Sequence, residues 1–106
     1  YAVVTPKITE ALAKLSPGPP RFVLNTHWHG DHTGGNENLA QQGTLVVAHD
    51  NVRLRMSTEQ FSKFFERATP ASPAAALPVV SFNDSLSFHL NGDEIRGVHV
   101  PAAHTD

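Results

Sequence analysis

The segment His27-Trp28-His29-Gly30-Asp31-His32 places four side chains able to bind a metal ion within six residues. Imidazole nitrogens and carboxylate oxygens are the ordinary donors to zinc. In an extended segment, residues i and i+2 point the same way, so the rings of His27 and His29 can converge on one ion. Asp31 and His32 follow where the loop turns toward a helix, and Gly30, Gly34 and Gly35 allow the backbone to turn tightly there. A catalytic zinc takes three protein ligands plus water. Neighbouring side chains such as Asp31 and His32 do not easily join the ion held by His27 and His29. The economical expectation is two ions side by side with water between them, acidified so that hydroxide is available near neutral pH.

The flanking sequence supplies elements to position this loop. Thr5-Pro6 reads as a helix start, with Thr5 as N-cap and Ile8, Leu12 and Leu15 at helical spacing over about 6–15. Ser16 to Pro20 ends that helix in a stiff loop. Arg21–Asn25 and Thr44–Ala48 read as buried strands, with the metal loop and a helix over about 36–42 between them. Asp50 is placed to cap a helix over Val52–Met56, and Ser57 or Thr58 to cap another running to about 67, with Phe61, Phe64 and Phe65 as a stripe for the core. Residues 68–78 read as an extended loop. Val79–Phe82 reads as a strand. Leu86, Phe88 and Leu90 then alternate with Ser85, Ser87 and His89 up to Asn91-Gly92, a strong hairpin signal, with Ile95, Val98 and Val100 on the return. The order predicts an α/β layered domain.

Composition narrows the function. The 106 residues are enough for one domain at most, and the formal net charge is −2. No strongly basic segment offers a footprint for nucleic acid. No apolar run is long enough to span a membrane. No signal peptide is visible at Tyr1–Thr5. With no cysteine, thiolate ligands and disulfides are excluded, whereas histidine occurs seven times. Of the histidines outside the loop, His49 reads as a helix cap or surface residue, and His89 and His99 as surface residues.

The string from Asn25 to Asn36 resembles the His-x-His-x-Asp-His signature of the metallo-β-lactamase superfamily, and Pro101-Ala102-Ala103-His104-Thr105-Asp106 resembles that family's next motif. Ala48-His49-Asp50 is similar to its strand-to-helix junction. The resemblance implies an αββα sandwich with the site at the edge of two sheets. It implies zinc as cofactor, with His27, His29 and His104 on the first ion and Asp31 and His32 on the second. Asp31 would also orient the attacking water. It further implies that residues 1–106 form a single partial domain, without the family's first strands and without the later Asp and His of the second metal.

The function expected from these residues is a zinc-dependent hydrolase, its metal-bound hydroxide attacking an amide, lactone, ester or thioester in a small-molecule substrate. Trp28 and the Phe61–Phe65 segment are candidates to line an apolar cleft. A different class of reading is a catalytically incomplete chain that binds metal weakly or not at all and forms a homodimer or domain swap through exposed sheet surfaces. A third is an iron oxidoreductase, although this donor set fits zinc as well or better.

Overall fold

The computed structural model describes residues 1–63 and 66–105. After a 3-10 turn at Ala2–Val4, the chain forms α1 (Thr5–Ala13), β1 (Phe22–Leu24), α2 (Gly30–Thr33), α3 (Asn36–Ala40), β2 (Leu45–His49) and α4 (Asp50–Met56). The strands β3 (Gln60–Ser62) and β4 (Arg67–Thr69), a second 3-10 turn at Ala74–Ala76, and β5 (Val80–Phe82), β6 (Ser85–Leu90) and β7 (Asp93–Val98) follow. The α/β class expected from the sequence is the class observed. No helix among the described residues is long and apolar enough to cross a membrane.

A parallel sheet in the order β1-β2-β5 forms the centre. Its middle strand pairs Val23 with Val46 on one side and Ala48 with Ser81 on the other. A central parallel strand is covered on both faces and so reads as a continuous apolar run. Val46, Val47 and Ala48 are accordingly buried. On one face Ala48 packs with Val52 and Met56 of α4 and with Ala76, and Trp28 and Leu77 lie against that cluster. On the other face lies the antiparallel β6–β7 hairpin. The Phe22 and Phe88 rings are 5.0 Å apart, and the Phe82 ring lies where a Cβ on Gly97 would be 3.4 Å from its edge. Asn91 and Gly92 turn this hairpin with φ of 55° and 84°. Two positive φ values in succession give a turn whose twist suits the flanking strands, and Asn-Gly adopts them at little cost.

Several expectations need correction. Thr5 is the first residue of α1 rather than its cap; Val4 holds the cap position, and the Thr5 side chain is buried. The Ile8, Leu12 and Leu15 stripe faces outward, with Leu15 83% exposed. A short helix, α2, occupies part of what reads as loop. The cap of α4 is His49 rather than Asp50: its Nδ1 accepts from the Asn51 backbone N–H at 3.1 Å.

The helix expected to run from Thr58 to about 67 is the antiparallel pair β3–β4, with Phe61 opposite Ala68. The Ser57 and Thr58 hydroxyls donate to the Leu54 carbonyl at 2.9 and 3.0 Å, closing the end of α4 instead of opening a new helix. Gln60 reinforces the turn by donating to the Arg55 carbonyl at 3.2 Å and the Thr58 hydroxyl at 2.8 Å. Phe61 is 64% exposed and not in the core, while Phe64 and Phe65 lie outside the described residues. His99 is half-buried rather than on the sheet surface, because its ring stacks on His49 at 4.0 Å and 16°.

Candidate metal centre

The site begins where β1 leaves the sheet. The Asn25 backbone N–H still donates to Val47 at 3.0 Å, so the sheet fixes the start of the loop. Two buried amides then close the loop into a ring. Asn25 Nδ2 donates to Asn36 Oδ1 at 3.1 Å, and Asn36 Nδ2 donates back to Asn25 Oδ1 at 2.8 Å. Asn36 Nδ2 also reaches the Ala76 carbonyl at 3.0 Å. Inside this ring, Thr33 Oγ1 donates to the carbonyls of Trp28 and His29, each at 3.2 Å. The backbone N–H groups of His32 and Thr33 both donate to the His29 carbonyl at 2.9 Å, which starts α2 immediately after the second histidine.

The loop glycines serve close approach rather than left-handed turning. None of Gly30, Gly34 and Gly35 has positive φ. A Cβ at Gly34 would lie 2.6 Å from the Gly30 carbonyl oxygen, and one at Gly35 would lie 3.0 Å from Thr5 Oγ1. Helix α1 therefore docks directly on the loop, which is why Thr5 is buried.

The histidines converge, although the chain bends through residues 26–28 instead of running extended. The ring centroids of His27 and His29 are 4.8 Å apart, and each lies 5.1 Å from that of His104. One ligand atom from each of these three imidazoles lies within 4.8 Å of the others. Metal–nitrogen bonds of about 2.0–2.1 Å in a tetrahedron require donors about 3.3 Å apart, so small ring movements would bring all three onto one ion. A neutral, all-imidazole donor set also matches zinc chemistry. Thr26 Oγ1 lies 3.0 Å from His27 Nδ1, which orients that ring and leaves Nε2 for a metal. The His27 pKa is held below its ordinary value, first by burial and then by the neighbouring His32, His29 and His104 rings, with Asp31 opposing. The lone pair a metal needs is thus kept free of a proton at neutral pH.

Asp31 and His32 adjoin this group without belonging to its three-way convergence. Asp31 Oδ2 is 3.5 Å from His32 Nε2, and both side chains are about half exposed. The His32 ring reaches the His27 ring at a centroid distance of 4.0 Å, so the pair flanks the three-histidine group on the His27 side. Trp28, expected to line a cleft, does line one, beside Gly30, Thr33, Met56 and Gln60, and its ring also packs against the buried cluster, with the Arg55 guanidinium carbon 5.9 Å above it.

Sequence reasoning did not single out Asn25, Asn36, Thr33 or Thr105 as site-shaping residues. Asn25 and Asn36 stand at the two ends of the motif string, and that placement is the available signal. For Thr105 there is none, because its partner Trp28 is 77 positions away.

No solved structure matches the chain. A lactamase-like protein, nscB of Arthroderma gypseum, is 29% identical over 85 residues, covering 80% of this chain and 21% of the relative. The chain thus spans about a fifth of the length of that curated relative. The family model described as the metallo-beta-lactamase superfamily matches residues 4–106. With that match spanning the loop, the hairpin and His104, the chain belongs to the metallo-beta-lactamase superfamily.

Proposed function

We propose that this chain carries the metal-binding part of a zinc-dependent hydrolase acting on an amide, lactone, ester or thioester of a small molecule. The observation that carries the reading is the convergence of His27, His29 and His104, whose ligand atoms lie within 4.8 Å of one another. Zinc bound there supplies a Lewis acid for the substrate carbonyl and lowers the pKa of water. The three imidazoles hold it without adding negative charge, which preserves its acidity. Asp31 stands beside them as the carboxylate that orients the attacking water and accepts its proton. With His32, whose Nε2 lies 3.5 Å from its carboxylate, it forms one side of a second metal position. Superfamily membership favours this hydrolase over the self-associating, non-catalytic alternative.

The test is metal content and turnover together. Purified chain equilibrated with zinc and freed of excess should retain about one equivalent or more, and His29→Ala should retain almost none. Hydrolysis of nitrocefin or a thioester, where present, should vanish with the same substitution. Less than about 0.2 zinc per wild-type chain, or activity surviving in His29→Ala, would overturn the assignment.

A further inference from the structure

His104 lies far along the chain from His27 and His29, and it is itself exposed. Something must therefore hold its segment in register with the loop. The segment is tied down on both sides of His104. At its start the His99 backbone N–H donates to the Asp84 carbonyl at 2.9 Å, and the His99 ring stacks on His49. At its end Trp28 Nε1 donates to Thr105 Oγ1 at 3.1 Å. Between these ties Val100–Ala103 is exposed, with Ala102 at a φ of 55°.

Trp28 is suited to the second tie. It sits between His27 and His29, so its backbone moves with the first two ligands. Its ring packs against the cluster of Ala48, Val52, Met56 and Ala76, with the Arg55 guanidinium carbon 5.9 Å from the ring centre. Its carbonyl is held by Thr33 at 3.2 Å. The indole N–H can only donate, and its direction is set by how the ring packs against the buried cluster. Thr105 adjoins His104 in sequence, so little slack separates the tie from the third ligand.

We infer that Trp28 and Thr105 are a pair of positioning residues, a clasp that brings His104 into the three-histidine site and so sets its metal affinity. The inference rests on the metal-binding reading above. Outer partners of metal ligands typically change affinity by about 10–100-fold when removed. A clasp acting through the neighbouring residue belongs at the lower end, about tenfold.

The test is cobalt(II) titration of the full chain, following the visible absorption of the bound ion, with thermal unfolding of the metal-free chain measured alongside. Trp28→Phe keeps the ring packing and loses the N–H; Thr105→Val keeps the shape and loses the hydroxyl. Each should weaken cobalt binding about tenfold and alter the absorption envelope, while metal-free unfolding stays close to wild type. The double variant should bind no more weakly than the weaker single, and Thr105→Ser should restore wild-type affinity. Should Trp28→Phe fail to fold, Thr105→Val against Thr105→Ser decides alone. Wild-type affinity in both single variants, or losses that multiply in the double, overturns the clasp and leaves the metal reading standing. No cobalt binding by the wild-type chain overturns the metal reading, and the clasp with it.

Discussion

The first and second halves of the ligand motif are built differently. His27 and His29 lie on a bent stretch after β1 that is tied at several points: Thr26 to the His27 ring, Thr33 to two carbonyls, Trp28 to the buried cluster and to Thr105. Asp31 and His32 ride on the four-residue α2, half exposed, with each other as near charge partners at 3.5 Å. The difference shows what an all-local motif can and cannot supply. The bend after β1 brings two rings together, and the Trp28–Thr105 hydrogen bond ties the segment that carries the third. Two consecutive residues at a helix start bring Asp31 Oδ2 and His32 Nε2 within 3.5 Å of each other, but they supply only two donors. The three-histidine group is therefore preorganised for a metal, and the Asp31/His32 pair is the part that a metal and further ligands would have to order.

The largest expected effect breaks the preorganised half. His29→Ala should lower metal affinity by more than about 100-fold, because two imidazoles hold zinc far less well than three. Isothermal titration with zinc would measure it. The next sharpens the contrast. Asp31→Asn should leave metal binding to the three histidines within about threefold of wild type while lowering kcat by about 100-fold, the usual scale for loss of a proton-accepting group. Parallel loss of metal and kcat would instead place Asp31 on the first ion.

The same contrast explains what the sequence disclosed. The Asn91-Gly92 turn follows from backbone preference and was legible; the meeting of His27 and His29 was expected from alternation along an extended segment, whereas the chain bends through residues 26–28 beyond the end of β1. The third histidine of the cluster, His104, was legible only through the resemblance of the Pro101–Asp106 string to a family motif. The β3–β4 pair was not legible, because Phe61, Phe64 and Phe65 at helical spacing look like a helix face. What decided that segment was side-chain chemistry: the Ser57 and Thr58 hydroxyls satisfy the Leu54 carbonyl, and Gln60 turns the chain back. The His49–His99 stack was equally hidden, since it joins residues from two separate elements. Period and propensity describe faces, and these contacts are made between faces.

A third prediction concerns the support beneath the loop. Asn36→Ala should destabilise the fold by about 2 kcal/mol, because it leaves the buried Asn25 carbonyl oxygen without its 2.8 Å donor and the Ala76 carbonyl without its 3.0 Å donor. Denaturant unfolding of the metal-free chain measures this directly. Asn36→Asp retains an acceptor for Asn25 Nδ2 but neither donor, so it should be no more stable than Asn36→Ala. Stability equal to wild type in both would show that the amide ring does not hold the loop.

The smallest expected effect lies behind the site, at the start of α4. The Asp50 carboxyl is held below its ordinary pKa of 3.8, first by a hydrogen bond from Ser81, with further help from Asn83 and the His49 charge, against a partial opposing effect of desolvation. A carboxylate with a depressed folded-state pKa contributes stability that is present above its unfolded value of 3.8 and is lost as pH falls through the lower folded value. Asp50→Asn should therefore unfold at a slightly lower temperature than wild type near pH 7. The gap should close as pH falls below about 4, giving the variant the shallower acid limb. Because Asp50 is exposed, solvent screens these interactions and the gap should be small. A gap that widens toward acid would mean that the carboxylate is repelled at this junction. The helix cap would then rest on His49 alone, through its bond to the Asn51 N–H.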